Sequence, residues 1–126
     1  MPPASPSCTL HLRGLGYAPA FSRVEAGSVS MKYINLGSTG LKVSRICLGT
    51  MTFGSPEWRN WVMGEAEALP FIKRALDHGI NFFDTADMYS KGESEVVLGN
   101  CLKKLGVARD KVVIATKVHN AMGDDP

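Results

Sequence analysis

Asp84, Tyr89 and Lys117 are the residues of this chain whose types and spacing suit a reaction. Asp84 closes the apolar run "INFFD" at 80–84, Tyr89 follows five residues later in polar sequence, and Lys117 ends a second apolar run, "KVVIATK" at 111–117. A phenol has an unperturbed pKa near ~10, too high to release its proton readily at neutral pH. An ammonium beside it stabilises the phenolate, and a carboxylate beside the ammonium balances and orients that charge. A tyrosine in that setting is a usable general acid. It can protonate a carbonyl oxygen as hydride reaches the carbonyl carbon, which reduces an aldehyde or ketone to an alcohol. No side chain delivers hydride, so this chemistry calls for a nicotinamide cofactor. Each residue also has a plainer role: a strand-end Asp caps or turns, a loop Tyr packs on the surface, and a strand-end Lys is solvated. Their order at the ends of successive strands favours the chemical reading.

Positioning them falls to the elements between residues 31 and 118. Two short β-prone runs flank "GSTG" at 37–40, where Gly37 and Gly40 supply turn conformations, and read as a hairpin leading into a strand at Ile46 to Gly49. Leu69, Ile72 and Leu76 recur at helical spacing with Gly79 behind them, which predicts a helix over 66–78. Pro70 lacks an N–H and disfavours helical geometry at Leu69, so that helix is expected to begin near Leu69 or to kink in its first turn. A strand at Ile80 to Asp84 follows. A second helix is expected over 93–105, with Leu98, Cys101, Leu102 and Leu105 on one face and Gly106 at its end. Glu93 and Glu95 lie in its first turn and Lys103 and Lys104 in its last, which suits the helix dipole. The run at 111–118 is a last strand. Strand, helix, strand, helix, strand implies parallel strands with right-handed crossovers, an α/β sheet or barrel. Chemistry in such folds collects where strands end. Alternation puts Ile80, Phe82 and Asp84 on one side, and likewise Val113, Ala115 and Lys117, so carboxylate and ammonium are expected to pair.

The wider chain narrows the classes. Its 126 residues are 44% hydrophobic, room for one modest domain. With 14 Lys+Arg against 12 Asp+Glu, a formal charge of +2 and no basic run longer than Lys103-Lys104, there is no phosphate-backbone footprint and no nucleic-acid partner is expected. No apolar stretch approaches the ~18 residues of a membrane span. Cys8, Cys47 and Cys101 lie far apart without C-x-x-C spacing, which speaks against a disulfide framework or a zinc site and for reduced thiols in a cytoplasmic setting. Residues 1–30 contain no lysine or aspartate, one acid at Glu25, and Pro, Gly or Ser at 12 positions. They read as a disordered or non-native extension. The targeting reading is weaker, because Gly14, Gly16 and Pro19 interrupt any amphipathic helix. Charge and periodicity change at Met31.

The segments "MKYINLGSTGLKVSRICLGTMTFG", "GINFFDTADMYSKGESEVVLG" and "DKVVIATKV" together resemble the amino-terminal third of an aldo-keto reductase. "SPEWRNWV" and "LPFIKRALDHGINFFDTADMYS" are most similar to the aryl-alcohol dehydrogenase-like branch. The likeness spans 31–126 and none of 1–30. It implies a parallel (β/α)8 TIM barrel of the NADP-dependent oxidoreductase type, of which only the first three strand-helix units lie in this chain. It also implies NADPH as cofactor, a small carbonyl substrate such as an aromatic aldehyde, and a catalytic tetrad of Asp, Tyr, Lys and His. That set falls on Asp84, Tyr89 and Lys117, with Gly49, Thr50, Met51 and Asp84 beside the ribose and nicotinamide end of the cofactor. No G-x-G-x-x-G is present, as the family does not bind its dinucleotide on a Rossmann turn. Trp58 and Trp61 are read either as an apolar wall over an aromatic substrate or as rim packing.

The tetrad histidine has no counterpart: His119 and His78 lie in the wrong segments. A complete barrel needs ~250 residues, and its usual phosphate site comes from later loops. Three strands cannot close a barrel, so a truncated product with little activity alone is expected. The competing readings are a non-catalytic regulatory or binding subunit of the same fold, and a small flavodoxin-like domain using "GTMTFG" as a phosphate loop. Retention of the polar triad favours the enzyme over the first, and "DTADMY" goes unexplained by the second.

Overall fold

The computed structural model describes residues 30–119 and 121–123. The expected extension at 1–30 thus lies, but for Ser30, outside the described residues. The first element is the hairpin, in which β1 (Tyr33–Asn35) pairs antiparallel with β2 (Lys42–Ser44), Ile34 opposite Val43. Leu36 N–H donates to the Leu41 carbonyl at 2.8 Å to close the turn. Gly37 takes the left-handed φ of 59° that the turn requires, whereas Gly40 does not, so only the first glycine is needed for its conformation.

Three parallel strands then form one sheet in the order β3 (Leu48–Gly49), β4 (Phe82–Asp84), β5 (Val113–Ala115). Each is shorter than the apolar run that predicts it, because neighbouring residues are drawn into other bonds. Asn81 turns to the hairpin: its side chain accepts from Ser44 N–H at 2.8 Å, and its own N–H donates to the Ser44 hydroxyl at 3.2 Å. Arg109–Lys111 form a 3-10 turn before β5, and past its end Thr116 donates to the Glu95 carboxylate at 2.6 Å. The register fixes two rows. Leu48, Phe83 and Ile114 stand side by side and join the core, while Gly49, Asp84 and Ala115 stand abreast on the opposite face, at the carboxyl ends.

The core is completed by α1 (Glu65–Asp77) and α2 (Glu93–Lys104), packed on the Phe83 side through Ala68, Ile72, Val97, Leu98, Cys101 and Leu102. Among the described residues there are thus three parallel strands and two α-helices; the helix expected after the third parallel strand is not among them. Helix α1 starts at Glu65, close to the predicted 66–78, and runs through Pro70, so of the two expectations for Pro70 the start near Leu69 does not hold. The Glu67 carboxylate accepts from Gly64 N–H at 3.2 Å and closes the first turn, and Pro70 falls on the exposed face, where the Ala66 carbonyl it leaves without a donor also lies. Asn100 and Lys104 of α2 both donate to the Glu65 carboxylate and clamp the helices together. The two helices end alike: Gly79 and Gly106 take φ of 81° and 67°, their N–H groups reach the Leu76 and Lys103 carbonyls, and the next residues reach Ala75 and Leu102, a Schellman closure each time. Cys47 and Cys101 are free thiols; Cys8 lies outside the described residues. No helix among the described residues is long and apolar enough to cross a membrane.

The two capping glycines differ in surroundings. A Cβ on Gly79 would lie 3.0 Å from Met31 Cβ and 3.0 Å from the Tyr33 hydroxyl, which itself donates to the Gly79 carbonyl, whereas one on Gly106 meets nothing within 4 Å. Gly106→Ala is expected to cost the left-handed penalty alone, about 1–2 kcal/mol, and Gly79→Ala that amount plus displacement of the hairpin. Urea denaturation of the two variants checks this; equal midpoints would show that the hairpin contact adds nothing.

Candidate active site

At the open end of the sheet, Lys117 reaches back over the Gly49–Asp84–Ala115 row. Its ammonium donates to both Asp84 carboxylate oxygens at 2.8 Å and to the Thr85 carbonyl at 2.6 Å. The same nitrogen lies 5.0 Å from the centroid of the Tyr89 ring, within cation–π range. Carboxylate, ammonium and phenol ring are thus in one constellation, although β5 ends two residues before Lys117. The pair is open to solvent, with 49% of the Lys117 and 41% of the Asp84 side chain exposed, so it rests on bidentate geometry more than on a low dielectric. Hydrogen bonding to Asp84 is the main cause holding the Lys117 pKa above its ordinary value; partial loss of solvation opposes it, and Tyr89 adds to it.

Backbone contacts hold the three in place. The Asp84 carbonyl accepts both Thr50 N–H, at 2.9 Å, and the Thr50 hydroxyl, at 3.0 Å. The Ser94 hydroxyl, at the start of α2, donates to the Thr50 carbonyl at 2.7 Å and stands 3.0 Å from its hydroxyl. Thr50 and Ser94 are both fully buried, where a polar group is retained only with partners. Asp87 N–H donates to the Lys117 carbonyl at 3.1 Å, and Tyr89 N–H to the Ala86 carbonyl at 3.2 Å. Tyr89 opens a 3-10 turn, Tyr89–Gly92, whose next residues are unusual: Ser90 and Lys91 take φ of 51° and 55°, and Gly92 takes 92°. Among non-glycine residues that conformation carries a cost.

Gly49 leaves open space at the strand end, since a Cβ there would meet nothing within 4 Å, and Met51 is exposed beside it. Thr50 lies beneath them, its side chain and backbone both engaged in holding Asp84. His78 caps the far end of α1 and His119 lies exposed beyond Lys117. Trp58 and Trp61 stack edge to face at 5.9 Å, and Arg59 covers Trp58 at 5.4 Å. Trp58 lines a groove with Gly54, Glu65, Ser90, Val96 and Asn100. The roles of Ser94, Ser90 and Gly54 were not foreseen. "YSKGES" reads as a polar loop, and nothing in it announces that two of its serines are buried.

Residues 45–126 match the Aldo/keto reductase family. The chain is similar to versiconal hemiacetal acetate reductase of Aspergillus parasiticus, 51% identical over 94 residues that make up 75% of this chain and 27% of the relative. It is similar also to AAD16 of Saccharomyces cerevisiae, which bears the name of an aryl-alcohol dehydrogenase, 39% identical over 92 residues, 72% of this chain and 27% of that one. Among solved structures, the holo form of the aldo-keto reductase AKR11C1 from Bacillus halodurans superimposes with a TM-score of 0.59 at 36% identity, over 71% of this chain and 26% of that chain. The chain therefore spans about a quarter of the length of these relatives.

The ion pair makes a prediction with a definite sign. Because Lys117 is raised in the fold, the stabilisation it contributes is fully present below the unfolded lysine value of about 10.4 and is lost as pH rises through the higher folded value. Asp84→Asn removes the chief cause, so the Lys117 titration should move down toward the ordinary lysine value when followed by NMR at the ε-carbon. An unmoved titration would mean that the pair does not form in solution.

Proposed function

Because the chain belongs to the aldo/keto reductase family, and so carries the opening strands of its TIM barrel, we propose that these residues serve NADPH-dependent reduction of aldehydes and ketones to alcohols. Tyr89 is the proton donor, and Lys117 and Asp84 support it. The observation that carries this reading is the placement of one ammonium, 2.8 Å from both Asp84 oxygens and 5.0 Å from the centre of the Tyr89 ring. As the phenol gives its proton to the carbonyl oxygen, the negative charge that develops on Tyr89 faces a cation already in position. No reorientation of Lys117 is then needed in the transition state. Asp84 keeps that cation charged and aimed.

Gly49, Thr50, Met51 and Asp84 are proposed to meet the ribose and nicotinamide end of the cofactor. The open space over Gly49 and the exposed Met51 fit a flat ring lying beside the Asp84–Lys117 pair, and Thr50 contributes from below by fixing the strand end. A bound nicotinamide supplies hydride to the carbonyl carbon. An aromatic aldehyde is the proposed substrate class, a reading supported by the likeness to the protein named as an aryl-alcohol dehydrogenase.

The test is Tyr89→Phe in the native polypeptide that carries this sequence, assayed by NADPH oxidation with a panel of aromatic aldehydes. Loss of a positioned general acid should lower kcat by roughly 10²–10⁴-fold with little change in KM. Undiminished kcat would exclude Tyr89 as the proton donor, and no turnover by the unchanged polypeptide would favour a binding subunit of the same fold.

A further inference from the structure

We propose that Ser90, seated on Gly54, is the positioning residue for Tyr89, and that this contact locks the tyrosine loop to the loop leaving β3. The proposal rests on the reading of Tyr89 as proton donor for its importance to catalysis, but the contact itself is independent of it. Ser90 immediately follows Tyr89, is 2% exposed, and accepts Ser55 N–H on its hydroxyl at 3.2 Å. Gly54, at φ 147°, lies so close beneath it that an added Cβ would fall 2.4 Å from Ser90 Oγ and 2.5 Å from Ser90 Cβ. Only a residue without a side chain leaves room for the serine. Gly54 is itself fixed, its N–H donating to the Met63 carbonyl at 2.9 Å.

This seat has a backbone counterpart. A serine and a lysine in succession at φ near 50° do not hold that conformation by preference, and surrounding contacts must impose it. On the α2 side, Glu93 N–H reaches the Ser90 and Tyr89 carbonyls; on the strand side, Tyr89 N–H reaches Ala86. With Lys91 N–H reaching the Met88 carbonyl at 3.3 Å, these bonds fix where the backbone of Tyr89 lies but not by themselves where the Ser90 side chain is seated. The contacts of that side chain settle it, because reversal of the turn would take the Ser90 hydroxyl off Ser55 and out of the space over Gly54. The Tyr89 ring then stays over the Lys117 ammonium. In this arrangement a displacement of the Gly54–Ser55 loop is passed to the phenol directly.

The experiment compares the full chain with Ser90→Gly, which tolerates the left-handed backbone yet removes the seated side chain, and with Gly54→Ala, which fills the seat. The reading is the upfield ring-current displacement of the Lys117 ε-methylene protons by NMR, referenced to Tyr89→Leu, alongside the melting temperature. Loss of most of that displacement in folded Ser90→Gly supports the proposal. A lowered melting temperature with the displacement intact overturns it, since Ser90 would then serve stability alone. Should Gly54→Ala fail to fold, Ser90→Gly decides by itself. No turnover is involved, so an active Tyr89→Phe enzyme would remove the proton-donor role and leave the positioning contact standing.

Discussion

The open end of this molecule depends on Asp84 being held from two directions at once. Its carbonyl receives the Thr50 N–H and hydroxyl, which tie β4 to β3, and its carboxylate receives Lys117, which ties β4 to the segment beyond β5. One residue thereby joins three chain segments at the level where a parallel sheet would otherwise splay. The fully buried Ser94 extends the tie to the first turn of α2, so the helix start and the strand ends form one unit. Tyr89 lies within that unit, between Asp84 and Ser94. Its neighbourhood is thus set by bonds that also hold the fold.

Much of this was legible in the sequence where a residue type has few uses. Gly79 and Gly106 mark helix ends because only glycine takes the left-handed conformation without strain, and both do so. Acids at the start and lysines at the end of "ESEVVLGNCLKK" fit a helix dipole, and α2 has those bounds. Alternation in "FFD" put Phe82 and Asp84 on one side and Phe83 on the other, and the register shows Phe83 in the core row and Asp84 in the opposite one. What remained illegible depended on tertiary contact. Pro70 was read as marking either a helix start near Leu69 or a kinked first turn, but the helix starts at Glu65, with Pro70 on the exposed face and Ala68 and Ile72 packed in the core. The burial of Thr50 under Asp84 was not legible, because it depends on Ser94, 44 residues away.

Ser90 and Lys91 break a local rule at the place where chemistry is expected. Each left-handed non-glycine residue costs about 1–2 kcal/mol, and a polar serine adds the cost of burial unless it is bonded. The bond from Ser55 and the fit against Gly54 offset this for Ser90. Lys91, exposed between buried and half-buried neighbours, has its N–H bonded to the Met88 carbonyl at 3.3 Å but no buried side chain to seat. Local strain sustained by surrounding contacts is a recurrent property of sites that must hold a side chain in one direction.

The hairpin and the site also differ in how they come into being. The hairpin turn joins Leu36 to Leu41 within a few residues, and hairpins of this kind close in roughly 1–10 μs. Every side-chain bond that builds the site spans a long loop: 33 residues from Asp84 to Lys117, 34 from Thr50 to Asp84, 35 from Ser55 to Ser90. Parallel pairing of this kind must close those loops before any bond repays the entropy, and forms slowly. On the ribosome, Lys117 also emerges after Asp84 and Tyr89. The carboxylate therefore waits without its partner, and the Asp84–Lys117 contact closes later than the hairpin.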